Sequence, residues 1–484
     1  MVAASLAVAV SVPLDLVPWL RGPAPYPPEW QWAFRPGGPS RTLLAAAACA
    51  ALLLSLLGAS GTGWARRHSR VASRVLVAGA VLLAWGFQLA LLAREPGSPL
   101  ATALSRTRSR SFTSHHAVAV SEDARDPIAF LRRHAELLPT HVRSAKHSAT
   151  HPPGPVLFYR AALAACERSA ALRETLLAAA GREDPDSPPP PARPAWAAAL
   201  LGALALGLLG AATAWPVFHL ARELGASPLA ASRVAILWGL LPGPALMTPQ
   251  FDQALALPVA GATLLMLRAA LDERRGPRLA GLAGALGGLC VFTSYGAAAF
   301  LAVCGAAALV AAPPGGRESS ARAVLGRRVG LALVGGTVTA AVAFALPALL
   351  GHRPLRAMAT ALSIHREVYT APRSYALWLL FNPLDLALFL GLPVALTLLL
   401  RSVLPGERGA LVTRFRLALL GGLALLVLAG VTRGEVGRLW IPLMPALLAS
   451  SLVTGVEGPS RREALGQGAL LALLTLVIAG YWIV

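Results

Sequence analysis

Charge is scarce in this 484-residue chain: Asp, Glu, Lys and Arg make up 14% of it against 56% for the apolar types, and mean hydropathy is +0.60. A water-soluble domain of this length does not show such values, and the composition implies a polytopic membrane protein. Cysteine is nearly absent. Cys49, Cys166, Cys290 and Cys304 form no CxxC pair, and three of them lie in apolar runs, which reads as inert burial. HEXXH is missing, and the spacing of His115, His116, His134, His141, His147 and His151 fits no common zinc site. Acids are outnumbered by bases, 23 to 43, for a formal net charge of +20. The bases form no continuous patch interleaved with aromatics, which argues against a nucleic-acid partner. They sit instead in short clusters between apolar runs, as in the cytoplasmic loops of membrane proteins. The first apolar stretch, 2–12, lacks a basic leader, and Pro13, Asp15 and Pro18 stand where a cleavage site belongs. It is read as a first membrane helix and not as a signal peptide.

A bilayer-spanning helix takes roughly 20 mostly apolar residues, and about thirteen runs qualify, some shortened by Pro or Gly. They lie near 3–20, 42–58, 73–93, 195–215, 231–248, 253–270, 279–294, 296–312, 329–350, 383–401, 416–432, 439–455 and 466–484. The expected fold is therefore an all-α polytopic membrane protein. It divides into two extra N-terminal helices (1–72), a transmembrane core (73–455) and a C-terminal helix (456–484). With the N-terminus inside, the cytoplasmic connectors hold roughly twenty basic residues, Arg317 and Arg408 among them, and the short external ones about nine, the asymmetry of the positive-inside rule. The long polar segment 94–193 then lies outside. Ser294, Tyr295 and Gly296 break the run at 279–312 into an expected hairpin. The aromatics of the proline-rich 21–40 loop (Trp19, Tyr26, Trp30, Trp32) suit a headgroup anchor, with Glu29 as an alternative substrate contact.

Within 94–193, residues 107–120 read as extended, and 126–138 as a surface helix with Asp126 before Pro127 at its start. A second helix at 155–180 carries too many charges to span, and PPPPARP is a stiff linker. The THPPGPVLFYR stretch from Thr150, the FHLARELGASPLAASRVAILWGLLPGPALMTPQFDQALALPVAGATLLML stretch and the late GEVGRLWIPLMPALLAS stand in that order along the chain. Together they resemble the GT-C glycosyltransferases, in the branch of protein O-mannosyltransferases and lipid A aminoarabinose transferases. The resemblance covers roughly residues 73 to 455, and the order of the three stretches is more specific than any one of them. Two extra spans precede the long loop, and its acids form no Asp-Glu dipeptide.

The resemblance implies an inverting transferase that takes a sugar from a polyprenyl-phosphate carrier to a glycan, lipid or protein acceptor outside the membrane. Such chemistry needs a carboxylate to take the acceptor's proton and cations to hold the departing phosphate. Asp126, Glu122 and Asp123 are the candidate bases, each with the competing role of helix cap or solvated loop acid. For the phosphate the candidates are Arg143, Lys146, His147, His151, Arg433 and Arg438, with Glu435 as an ion-pair partner of Arg438. Asp252, Gln253 and Tyr295 share the external side as sugar-pocket candidates, against a plain turn role, and His365, Arg366, Glu367 and Tyr369 are candidates for a lid. A divalent cation, Mg or Mn, stays open, since some relatives of this kind use one and others do not. The competing class is a transporter or flippase of a lipid-linked or small anionic substrate, and a structural membrane scaffold is a third. Richness in Ala, Arg, Gly and Pro points to a GC-rich bacterial genome, hence to the inner membrane.

Overall fold

Runs built from Ala, Leu, Val and Gly offer no water-facing stripe, and in lipid every backbone N–H and C=O has to be satisfied within the segment, which leaves the helix as the solution. The computed structural model describes residues 1–35, 43–94, 98–110, 112–181, 192–313, 320–403, 410–453 and 458–483. Most of the proline linker, Arg317 and Arg408 lie outside the described residues. Among the described residues six helices, and not the expected thirteen, are long and apolar enough to cross a membrane, or seven if one bent pair counts as a span.

The expected apolar runs fall largely on helix, but the first ends at Leu14, 231–248 is interrupted after Trp238, and the last residues of 439–455 lie outside the described residues. The first three helices are α1 (Val2–Leu14), α2 (Leu44–Ala59) and α3 (Ser69–Leu91). The polar segment then gives α4 (Pro99–Arg108), α5 (His115–Ala119), α6 (Pro127–His141), α7 (Gly154–Arg168) and α8 (Ala170–Ala179). Next come α9 (Arg193–Ala212), α10 (Ala214–Glu223), α11 (Pro228–Trp238), α12 (Phe251–Leu271), α13 (Gly276–Thr293) and α14 (Ala297–Ala311). The last group is α15 (Ala321–Ala340), α16 (Pro354–His365), α17 (Tyr375–Leu390), α18 (Leu392–Val403), α19 (Leu411–Ala429), α20 (Met444–Leu452) and α21 (Arg461–Tyr481).

Several runs differ from straight rods. The run expected at 383–401 is the bent pair α17 and α18, which meet at 114°. Gly391 at the corner has φ +86°, a backbone that favours glycine, and Pro393 supplies no N–H to continue the ladder. The 155–180 helix is two, because Ser169 ends α7 and caps α8 by accepting from Leu172 N. Residues 107–120 are not extended: they hold the end of α4, a turn and α5. At Ser294–Gly296 the polar break separates α13 from α14, as expected.

The central core gathers α2, α3, α9 to α12, α17, α18, α20 and α21. A smaller cluster joins the polar segment to it: Val118, Phe130, Val156 and Tyr159 pack with Leu206 of α9 and Phe251 of α12. Gly154 fits there because a Cβ would stand 2.3 Å from the Phe292 carbonyl oxygen, so the HPPG turn docks backbone to backbone on the end of α13. One two-stranded antiparallel ladder, β1 (Ala33–Phe34) with β2 (Trp482–Ile483), ties the N-terminal loop to the last helix.

Close helix contact has a checkable consequence between α13 and α15. A Cβ at Gly284 would sit 2.4 Å from the Gly335 carbonyl oxygen, and backbone cannot step aside as a flexible side chain does. Gly284→Ala should cost about 1–3 kcal/mol through overpacking, read as a lower melting temperature of the detergent-purified protein.

Candidate functional site

The site is built on a turn that regular helix cannot make. Between α19 and α20 the chain passes through Gly430, Gly434 and Glu435, all with positive φ (+59°, +110° and +56°). Glu435 has a side chain and still adopts this backbone, which surrounding contacts must enforce. They are visible. Asn382 Nδ2 donates to Thr432 O at 2.8 Å, and Thr370 Oγ1 donates to Val431 O at 2.8 Å. Arg433 donates to the carbonyls of Gly430, Thr370 and Arg373. Asp385, buried in α17, accepts from Gly437 N at 2.8 Å and from the Trp32 indole N–H at 2.9 Å.

That turn presents Glu435 and Arg438 together. Arg438 Nη2 lies 2.8 Å from Glu435 Oε2, and its Nε lies 3.5 Å from Asp252 Oδ2 on the first turn of α12. All three side chains are nearly enclosed, at 11–15% exposed. One guanidinium therefore meets two carboxylates where water is scarce, the setting in which charge interactions are strong.

Above this floor opens a cavity of about 730 Å³. Among the described residues six cations line it, Arg106, Arg110, Arg143, Lys146, Arg373 and Arg438, against one carboxylate, Glu435. Arg106 donates to Thr248 O at 3.1 Å and lies over the Phe112 ring at 4.9 Å; Arg373 lies over Trp30 at 5.8 Å. Trp30, Trp32, Phe112 and Tyr369 supply aromatic wall. Tyr369 stands in a π-helical turn, Arg366–Thr370, between the rings of His147 (6.5 Å) and His365 (5.5 Å). Surplus positive charge beside aromatic faces suits an anionic group carried on a sugar or lipid.

Beside the floor sit neutral histidines. His115 Nδ1 is hydrogen-bonded with Ser148 Oγ at 3.0 Å, His151 Nδ1 with His147 O at 2.6 Å, and the two rings lie 4.9 Å apart. Burial pushes His151 down to about 3 and His115 well below the usual imidazole range, with neighbouring histidines and Arg438 adding to the effect. His134 is likewise pushed by burial to about 3, and His116 to about 4.

The structure gathers Arg143, Lys146, His147, Glu435 and Arg438 at one cavity, with Asp252 at its floor and His151 beside it. It gathers none of the three loop acids there. Asp126 Oδ1 accepts from Ile128 N and Ala129 N and caps α6. Glu122 is 87% exposed beside Arg125, and Asp123 pairs with His141 at 3.3 Å. Arg433 is turned to carbonyls, and Gln253, fully buried, donates to Pro244 O and Thr248 Oγ1. The Tyr295 hydroxyl lies buried at a separate apolar cavity of about 480 Å³ between α12, α13, α14 and α15. Of the lid candidates, Tyr369 reaches the cavity while Glu367 accepts from Ser363 Oγ at an exposed position. Glu29 is structural: it accepts from Ser374 N at 2.8 Å and the Trp378 indole N–H at 2.7 Å.

Among the described residues no group of three or more His, Cys, Asp or Glu is arranged to hold a metal ion, and the two carboxylates of the floor are both turned on Arg438. Sequence reasoning missed Arg106, Arg373 and Asp385. The last had a signal, a lone acid inside an apolar run. Comparison with family models, curated proteins and solved structures found no match to the chain.

Two outcomes follow from this geometry. Asp385→Ala strands the Gly437 N–H and the Trp32 indole N–H without an acceptor, at a cost of about 1–3 kcal/mol, measurable as a fall in melting temperature. Acid should also weaken the fold. Below the ordinary imidazole value of 6.5 the unfolded chain binds protons that folded His134 and His151 refuse down to about 3, so their contribution is complete above pH 6.5 and declines as pH falls. Melting temperatures taken from neutral pH down to about pH 4 should decline, and His134→Leu should shallow the slope.

Proposed function

We propose that the protein is an inverting glycosyltransferase that moves a sugar from a polyprenyl-phosphate donor to an acceptor on the non-cytoplasmic face of a bacterial inner membrane. One observation carries the reading: Arg438 stands between two nearly enclosed carboxylates at the floor of a cavity lined by six cations and one acid. The resemblance to GT-C enzymes agrees with it, as does the expected placement of the 94–193 segment outside the membrane.

The chemistry follows from the parts. A lipid phosphate is already a good leaving group, so no strong acid is required at the departing oxygen. Negative charge grows on that phosphate as the glycosidic bond breaks, and Arg438, Arg373 and the buried Arg106 are cavity-lining cations that can meet it. The acceptor hydroxyl must give up a proton, and the Asp252 and Glu435 carboxylates are the bases within the same enclosure. Trp30, Trp32 and Tyr369 offer ring faces to the sugar. His115 and His151 stay neutral and add no charge to the floor.

The transporter reading draws on the 114° break between α17 and α18, since broken helices mark substrate sites in transporters. One experiment separates the two. Purified protein given a panel of polyprenyl-phosphate sugars and candidate acceptors should release polyprenyl phosphate, and Arg438→Gln should lower that rate by about 10²–10³-fold, the loss typical of removing a transition-state charge partner. Silence of the wild type toward every donor, together with substrate flux in proteoliposomes, would establish the transporter instead.

A further inference from the structure

We propose that Glu435 occupies Arg438 as an internal stand-in for the donor phosphate, and that the arriving phosphate displaces it and so frees the carboxylate to serve as the base. This rests on the glycosyltransferase reading and assigns separate tasks to the two acids of the floor.

The starting point is charge. Arg438 carries one positive charge and faces two carboxylates, Glu435 at 2.8 Å and Asp252 at 3.5 Å. Taken alone, that trio is net negative and repels a phosphate. For the guanidinium to bind one, a carboxylate has to give way. The geometry says which. Glu435 holds an Nη nitrogen and itself lines the cavity, whereas Asp252 approaches Nε at the longer distance and does not line it. Arginine binds phosphate through a fork of paired N–H groups, and Glu435 sits on the edge that an incoming phosphate needs.

Glu435 is also free to leave without unfolding its turn. The backbone around it is fixed by other groups: Thr432 O by Asn382, Val431 O by Thr370, and Gly437 N by Asp385. Among the hydrogen bonds and ion pairs at this turn, the Glu435 carboxylate contributes the Arg438 contact alone. Its φ of +56° is unusual for a residue with a Cβ, and such strain concentrates where function requires one particular side-chain placement. Asp252 meanwhile keeps Arg438 from standing unpaired while the exchange takes place, which makes it a positioning residue.

In the transfer step, the acceptor oxygen forms its bond to the anomeric carbon as the bond from that carbon to the phosphate oxygen breaks. The electron pair leaves on the phosphate, held by Arg438, and the acceptor's proton passes to the freed Glu435 carboxylate. Release of polyprenyl phosphate lets Glu435 lose that proton to water and return to Arg438. A carboxylate blocked by its own ion pair before donor binding, and released by it, also keeps the base from activating water while no donor is bound.

An unusual result is expected from one substitution. Glu435→Gln removes the competitor for Arg438, so affinity for decaprenyl phosphate, measured by calorimetry on the detergent-purified full chain, should rise several-fold while sugar release falls by 10²-fold or more. Glu435→Asn, whose side chain tolerates positive φ, should behave alike and guards against a folding defect in the first variant. Arg438→Gln should abolish the binding. Unchanged or weakened binding in the folded Glu435 variants overturns the exchange while leaving the glycosyltransferase intact. Failure of the wild type to bind any polyprenyl phosphate across a panel of chain lengths overturns the glycosyltransferase reading itself.

Discussion

A guanidinium stays charged at any physiological pH, and moving an ion out of water costs several kcal/mol unless partners meet it. Arg438 is in that position, with 15% of its side chain exposed at the end of an apolar bundle. One partner, Glu435, stands three residues before it on the turn after α19, and the other, Asp252, comes from the start of α12. Satisfying the one cation fixes where two otherwise separate pieces of backbone must lie. An Arg at this depth without either acid would be an uncompensated charge, and the turn would have to open to water to relieve it.

Holding the turn takes material from the rest of the molecule. Asp385 is itself a buried acid on α17, made tolerable by two N–H donors and no cation in contact. One donor is the Gly437 backbone and the other is the indole of Trp32, so the N-terminal loop is drawn over the same site. Glu29 repeats the device a few residues earlier with Ser374 N and Trp378. The β1–β2 ladder then fastens this loop to the end of α21. Chain beginning, chain end and the 430–440 turn thus converge through hydrogen bonds to buried carboxylates and backbone, and the cavity is the space they leave beneath the polar segment.

Much of this was legible in the sequence, and the failures have physical causes. Apolar runs locate helices well because lipid and protein core make the same demand on backbone polar groups, so the helix positions follow from composition alone. The break at Ser294–Gly296 is also local, carried by polar and flexible residues visible in the string, whereas the 383–401 run was read as unbroken and its bend at Gly391 was not. The cations of the cavity were half visible: Arg143 and Lys146 stood out in the polar segment, and Arg438 as one of two arginines bracketing Glu435. Arg106 and Arg373 did not, since nothing local distinguishes them from the arginines that cap helices, such as Arg401 on the carbonyls of Ser451 and Leu452. The acids divide on the same ground. Asp126, Glu122 and Asp123 cluster in the polar segment and draw attention there, but an acid amid polar residues is usually solvated, while Asp252 and Asp385 sit in apolar surroundings where their burial has to be compensated by contacts across the fold.

That contrast decides what kind of site this is. A base drawn from the acids of the loop would work in water, where a neighbouring cation does little. Placing the working carboxylates against Arg438, with His115 and His151 kept neutral by burial, removes solvent from the balance and leaves the fixed charges to set it. The cavity as a whole is strongly positive, but its floor is locally negative until one anion is exchanged for another. In the proposed exchange, a phosphate is attracted over a distance by the six cations among the described lining residues and accepted at the floor by displacement. Its arrival would free, without changing its charge, the carboxylate that faces the acceptor, so that on this proposal binding of the donor and readiness of the base are one event in the same three side chains.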